Sequence, residues 1–256
     1  MAGILDLFRL DGKVAIVTGC NRGIGQGLTL ALAEAGADIF GISTQAAAPE
    51  TKALVEKAGR RFAYLQADLG STRPIPGIFA KAVETFGHVD ITVNNAGIIR
   101  RNDSIDFTEQ DWDDVMNVNI KSLFFMCQAA ARQYMKQKSG GKIINVASIL
   151  SFQGGIRVPS YTASKSGIKG ITMAMANEWA RHGINTNAIA PGYIATDNTA
   201  PLRADAERSK AILDRIPAGR WGEPRDLGGA VVFLSSKASD YMNGFTLAVD
   251  GGWLAR

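Results

Sequence analysis

The 256-residue sequence predicts an α/β protein, a doubly wound fold with a seven-stranded parallel sheet and helices on both faces, and three observations predict it. Short apolar runs recur along the chain and alternate with segments of helical composition, the pattern of parallel strands joined by helical crossovers. The runs are continuously apolar, as strands covered on both faces require. The first run also leads directly into a glycine-rich turn and then a helix-compatible stretch.

In chain order, residues 14–17 (Val-Ala-Ile-Val) form the first strand and Thr18 opens the turn Gly19, Cys20, Asn21, Arg22, Gly23, Ile24, Gly25, followed by a helix over 26–35. Glycines at these places let the backbone turn tightly and let a pyrophosphate approach the helix N-terminus, whose unpaired N–H groups favour an anion. The spacing Gly-x-x-x-Gly-x-Gly differs from the commoner Gly-x-Gly-x-x-Gly, so the turn alone leaves open an ordinary βα connection. Further strands are predicted at 38–42, 62–66, 91–93, 142–146, 185–189 and 245–249, and a helical stretch at 112–138 that Asn119 interrupts. Residues 195–217, rich in small and polar side chains, predict a flap over the site. Ligands in such sheets lie beyond the carboxyl ends of the strands. The polar and glycine-rich clusters fall there: the glycine turn, Asp68-Leu69, Asn94-Asn95-Ala96-Gly97, Ser148 and Pro191-Gly192.

Composition bounds the rest. No shift along the chain marks a second unit, so residues 1–256 read as one domain. The net charge of +4 is spread thinly, with no basic run interleaved with aromatics, which argues against a nucleic-acid partner. Cys20 and Cys127 lie far apart without metal-ligand spacing, which fits a reducing cytoplasm and no metal site. His88 and His182, the only histidines, stand at predicted helix ends. No apolar segment approaches the ~20 residues of a membrane span, and residues 1–10 lack a signal-peptide cleavage pattern.

Chemistry concentrates in Ser148, Tyr161 and Lys165. On a helix, Tyr161 and Lys165 sit one turn apart on the same face. An ammonium there is expected to depress the phenol's pKa from its usual ~10. Such a tyrosine exchanges a proton with an alcohol, and Ser148, at the end of the 143–147 apolar run, is placed to hydrogen-bond the same substrate oxygen.

With Gly19, Gly23, Gly25, Asp68, Asn94-Asn95-Ala96-Gly97, Asn119, Ser148, Tyr161, Lys165, Pro191-Gly192 and Thr196 in this order, the sequence resembles the short-chain dehydrogenase/reductase family over essentially its whole length. The resemblance implies a Rossmann-type fold with Tyr161 as general acid/base and Ser148 orienting the substrate oxygen. Lys165 would lower the tyrosine pKa and bond the nicotinamide ribose, and Asn119 would hold a water in the proton relay. It further implies cofactor contacts from Asn21, Arg22, Ile24, Leu69, Ala96 and Gly97 around the turn and cleft. Asp68 would lie at the adenine, Asn95 would brace the sheet, and Pro191, Gly192, Ile194 and Thr196 would lie near the carboxamide. The segments 98–101, 150–161 and 249–256 are similar to the family's sugar-acid dehydrogenases, implying a carboxylate substrate. Arg100, Arg101 and Arg157, with Gln153, lie on loops flanking the tyrosine, and a guanidinium binds a carboxylate through two parallel bonds.

Ser43 stands where NAD-preferring relatives carry an acid, and Arg22 offers one positive charge. The resemblance implies NAD, with NADP held open. It also implies a homotetramer, for which Leu123-Phe124-Phe125-Met126 and Trp253-Leu254 supply apolar candidates. Two rivals share parts of this pattern: a 3-oxoacyl thioester reductase, separable by a substrate panel, and a non-catalytic dinucleotide sensor, which a single turnover assay dismisses.

Overall fold

The computed structural model describes residues 3–256. Seven parallel strands, β1 (Val14–Thr18), β2 (Asp38–Ser43), β3 (Phe62–Gln66), β4 (Ile91–Asn94), β5 (Gly141–Val146), β6 (Ile184–Pro191) and β7 (Thr246–Val249), form one sheet in the order β3-β2-β1-β4-β5-β6-β7. The winding reverses between β1 and β4, and such a reversal opens a crevice beyond the strand ends.

Alternate strand residues supply two cores. Val14, Ile16, Phe40, Ile42 and Ile143 face α3 (Ile75–Phe86), α5 (Leu123–Gln137) and α6 (Pro159–Trp179). Ala15, Val17, Ile39, Val93 and Ile144 face α1 (Gly23–Glu34), α2 (Pro49–Lys57) and α9 (Gly228–Ser235). The period of two along a strand sends neighbours to opposite faces, and because both faces are covered the runs read as unbroken apolar sequence.

The predicted 112–138 stretch is three pieces: α4 (Glu109–Met116), a π-helical turn (Asn117–Ser122) and α5. Widened turns of this kind recur at functional sites, and Asn119 is buried at its centre.

The predicted flap carries a 3-10 turn (Asp197–Thr199), α7 (Ala200–Ala204) and α8 (Ala206–Leu213). Its base is pinned where Ile194 bridges Gly222, with the Ala195 N–H donating to the Gly222 carbonyl at 2.7 Å. Ile212 and Ile216 bury against Ile149 and Trp253, a third core that seats the flap beside the end of β5. Trp253, a candidate subunit contact from sequence, is therefore packed inside its own chain.

Candidate active site

A cleft of about 400 Å³ lies where the winding reverses. One wall is the glycine turn. Gly19 (φ 67°) and Gly23 (φ 52°) hold left-handed backbone, and a Cβ at Gly25 would collide with the Gly19 carbonyl. No side chain caps the N-terminus of α1, so its first N–H groups are open to the cleft that Asn21, Arg22 and Ile24 also line. A barred Cβ beside uncapped helix donors fits a pyrophosphate.

Across the reversal, Asn95 Nδ2 donates to the carbonyls of Thr18 (3.0 Å) and Gly19 (3.2 Å). Thr18 Oγ1 in return accepts from the N–H groups of Asn95 (3.0 Å) and Ala96 (2.9 Å). These four bonds fix the turn to the loop after β4, with Gly97 continuing along the floor. At the far end lie Ser43, Asp68 and Leu69. The Ser43 hydroxyl is 2.7 Å from Tyr64 Oη and accepts from the Gln45 N–H at 3.2 Å, and exposed Asp68 accepts from the Gly70 N–H at 2.8 Å.

At the near end, Tyr161 and Lys165 of α6 line the cleft with Val146, the last residue of β5. Lys165 is buried, its Nζ donating to the Val146 carbonyl at 2.6 Å and lying 5.5 Å from the Tyr161 ring centroid. Burial lowers its pKa to about 8. Ser148 caps the turn Ile149–Ser151 by accepting from the Leu150 N–H at 3.1 Å, and its hydroxyl is near enough to the Tyr161 phenol to draw its pKa down.

The phenol departs from the sequence expectation. Burial pushes its pKa up, and the forces pulling it back are the Ser148 hydroxyl and the charge of Arg101. The Lys165 amine is turned to a backbone carbonyl and is itself desolvated, which weakens the positive charge that spacing alone assigns to it.

Asn119 joins the loop after β4 to α6. Its Nδ2 donates to the Ile98 carbonyl (3.0 Å) and Ser164 Oγ (3.2 Å), while its Oδ1 accepts from the Ile98 N–H (2.8 Å). Ser164 Oγ donates to the Tyr161 carbonyl at 2.8 Å.

A family model described as enoyl-(acyl carrier protein) reductase matches residues 19–254. The chain is 65% identical over 253 residues to the 2-dehydro-3-deoxy-D-gluconate 5-dehydrogenase of Escherichia coli (strain K12), covering 99% of this chain and 100% of that one. The chain belongs to the short-chain dehydrogenase/reductase family.

Solved short-chain dehydrogenase/reductase structures superpose closely. One from Agrobacterium tumefaciens with bound NADP, provisionally named a 2-deoxy-d-gluconate 3-dehydrogenase, is 53% identical with a TM-score of 0.90, covering 98% of this chain and 100% of its own. A gluconate 5-dehydrogenase from Burkholderia cenocepacia J2315 in complex with NADP and tartrate is 38% identical with a TM-score of 0.93, covering 99% and 100%.

Several sequence candidates stand elsewhere in this short-chain dehydrogenase/reductase. Pro191 ends β6, and Gly192 packs so closely on the Asp250 backbone that a Cβ there would collide with it. Ile194 faces a smaller cavity with Ile216 and Asp250, so of that segment Thr196 reaches the cleft, joined by Asp197 and Asn198. Gln153 is turned away, its Oε1 accepting from Trp253 Nε1 (3.1 Å) and Arg215 Nη2 (3.2 Å). Arg157 is paired with Asp103 at 3.0 Å, outside the cleft. Sequence reasoning missed Thr18, Ser164 and Asn198. Thr18 and Ser164 sit inside the motifs that point to the site, Thr18 just before Gly19 and Ser164 between Tyr161 and Lys165. Nothing in the chain order marks Asn198.

Proposed function

We propose that this protein is an NAD(P)-dependent oxidoreductase that moves a hydride between the nicotinamide and a secondary hydroxyl or ketone of a sugar acid, 2-dehydro-3-deoxy-D-gluconate or 2-deoxy-D-gluconate being the leading substrates. The observation that carries the reading is Tyr161 on the cleft wall, one helical turn from buried Lys165, whose Nζ lies 5.5 Å from its ring centroid. The 65% identity to a 2-dehydro-3-deoxy-D-gluconate 5-dehydrogenase supports the substrate class, against 39% to a 3-oxoacyl-[acyl-carrier-protein] reductase of Vibrio cholerae.

In this reading Tyr161 takes the hydroxyl proton during oxidation and returns it during reduction. Ser148 donates to the substrate oxygen as charge develops there. Lys165 passes the proton onward at Nζ, and Asn119 holds Ile98 and Ser164 so that Tyr161 keeps its place. The bound nicotinamide supplies hydride acceptance and donation. Gly19, Asn21, Arg22, Gly23, Ile24 and Gly25 would hold the pyrophosphate end, Ser43, Asp68 and Leu69 the adenosine end, and Asn95, Ala96, Gly97, Tyr161, Lys165 and Thr196 the nicotinamide end. With no acid at Ser43 to repel a 2′-phosphate and Arg22 as the one cation of the glycine turn, both NAD and NADP are accepted.

The half-exposed apolar side chains Phe125, Met135 and Met173 on α5 and α6 fit subunit contact in a homotetramer, measurable by light scattering. Buried, unpaired Cys20 and Cys127 fit a reducing cytoplasm. Steady-state rates on a sugar-acid panel with each dinucleotide, followed by nicotinamide absorbance, test the activity. Turnover of 3-oxoacyl thioesters in preference to sugar acids would overturn it.

A further inference from the structure

The flap is anchored at both ends, and the two anchors differ. At its start the backbone supplies the anchor, with Ile194 bridging Gly222. At its end three segments far apart in the chain meet: the loop after β5 at Gln153, the last residues of the flap at Arg215, and the turn Trp253–Ala255. Gln153 Oε1 accepts from Trp253 Nε1 at 3.1 Å and from Arg215 Nη2 at 3.2 Å, so one carbonyl oxygen joins all three.

The rest of the junction is built around those two bonds. Trp253 is buried in one core with Ile149, Ile212 and Ile216, and its ring lies 4.7 Å from that of Tyr193. Arg215 Cζ stands over the same indole, 4.0 Å from the ring centroid, within the range of a cation–π contact. Arg256 donates to the carbonyls of Asp214 (2.7 Å) and Arg215 (3.2 Å), and the Ala218 N–H donates to the Gly251 carbonyl at 3.0 Å. Among the described residues Arg215 has no carboxylate to hold it, so the Gln153 oxygen and the indole face are what fix its side chain. An indole N–H this deeply buried is costly without an acceptor.

The junction bears on the cleft from two directions. Ser148, five residues before Gln153, caps the Ile149–Ser151 turn of the same loop, and Ile149 shares its core with Ile212, the buried residue of α8. At the flap's start, Thr196, Asp197 and Asn198 line the cleft. We infer that Gln153 is a positioning residue for the reaction: without touching the substrate, it seats the end of the flap, through Trp253 and Arg215, against the loop that carries Ser148, and so sets how far the flap stands above the sugar acid. The inference rests on the sugar-acid reading above and deepens it by naming what holds the flap in place.

The test compares Gln153→Met, which keeps the length and removes the acceptor, with Gln153→Glu, which keeps the acceptor and adds a charge that Arg215 matches. Three quantities are read: KM for 2-deoxy-D-gluconate, the dissociation constant of NADPH by fluorescence titration, and the rate of tryptic cleavage inside the flap, where Arg203, Arg208 and Lys210 are exposed. In Gln153→Met, KM for the acid is expected to rise about 10-fold, the size of one or two lost hydrogen bonds, and flap cleavage to quicken by a similar factor as local opening becomes easier. NADPH affinity should stay within about 2-fold, because the glycine wall is remote from the junction. Gln153→Glu should return both KM and cleavage to about the parent's values. Arg215→Met, a change at an exposed side chain, should raise KM and flap cleavage in the same direction from the other side of the bond.

A purely structural role gives a different pattern: a lower urea midpoint, parallel losses for the acid and for NADPH, and a Gln153→Glu protein as impaired as Gln153→Met. That pattern overturns the inference, as does a Gln153→Met protein in which either KM for the acid or flap cleavage is unchanged. If Gln153→Met does not fold, Arg215→Met decides on the same two quantities. If the unsubstituted protein oxidises no sugar acid, the functional reading itself fails, and flap cleavage, which needs no substrate, still shows whether Gln153 seats the flap.

Discussion

Lys165 Nζ donates to the backbone carbonyl of Val146 across 2.6 Å, tying the helix that carries the reactive phenol to the last residue of the strand beside it. The bond locates a buried amine by backbone geometry, and the amine's proton is loosely held because burial has lowered its pKa to about 8.

That lowered pKa makes stability depend on pH. In the unfolded chain Lys165 titrates near 10.5 and in the folded protein near 8. Between those values the unfolded state binds the extra proton, so stability rises with pH across this window. Below it the buried charge costs at most about 3 kcal/mol. Lys165→Met should therefore be more stable than the parent at pH 7, and the gap should close as pH climbs from 8 to 10.5. Urea unfolding at several pH values measures it, and a gap that widens with pH would contradict the assignment.

Tyr161→Phe should lose about 10²- to 10⁴-fold in turnover, the span of general acid–base catalysis, while binding dinucleotide with nearly unchanged affinity. The cleft's glycine wall and the Asn95 bonds do not involve the phenol. Stopped-flow hydride transfer and a fluorescence titration of reduced nicotinamide separate the two quantities. Since burial raises the phenol's pKa and Ser148 lowers it, Ser148→Ala should move the rise of oxidation toward higher pH.

Ser164→Ala should destabilise the protein by about 1–3 kcal/mol, because it leaves Asn119 Nδ2 buried with one donor unmatched. The same change releases the Tyr161 carbonyl from its side-chain donor. Thermal unfolding reads the first effect. The second should appear as a lower kcat with KM for dinucleotide unchanged, and a drop in KM alone would rule out the positioning role.

What the sequence disclosed follows from which interactions are local. The strand at 14–17 was legible because residues covered on both faces must all be apolar, leaving a run that survives without knowledge of its partners. The glycine turn was legible because left-handed backbone at Gly19 and Gly23 restricts residue type. The interruption at Asn119 was readable in the chain but its π-helical form was not, and the bonds that hold Asn119 run to Ile98 and Ser164 in distant parts of the chain. The arginines show the same limit. Arg157 finds Asp103 and Arg101 finds Asn198 through loop packing, and spacing contains no trace of either. For the phenol, position was readable and electrostatics were not, because desolvation depends on the whole fold.

Gly25→Ala tests the glycine wall. Its Cβ would meet both the Gly19 carbonyl and Asn95 Nδ2, so the turn must shift away from the loop after β4. Overpacking of this kind costs about 1–3 kcal/mol, and dinucleotide affinity should fall at least about 10-fold as the α1 N–H groups lose their aim. Isothermal titration with the reduced dinucleotide measures the affinity; an undiminished value would mean that the pyrophosphate lies elsewhere.

Dinucleotide choice rests on Arg22 and Ser43. Arg22 is 3.4 Å from Asp197, with both side chains largely exposed, a pair too solvated to hold the arginine against a better anion. The Ser43 hydroxyl is engaged by Tyr64 and the Gln45 N–H, so it neither repels a 2′-phosphate nor adds a positive charge to attract one. Selectivity should therefore be narrow in the parent protein. Arg22→Ala should cut kcat/KM for NADP by about 10-fold, the worth of a charge-assisted contact at a partly open site, and change that for NAD far less. Raising the salt concentration should weaken NADP use more than NAD use, because an exposed ion contact is screened within a Debye length. Equal losses for the two dinucleotides in Arg22→Ala would move Arg22 from the 2′-position to the pyrophosphate that both share.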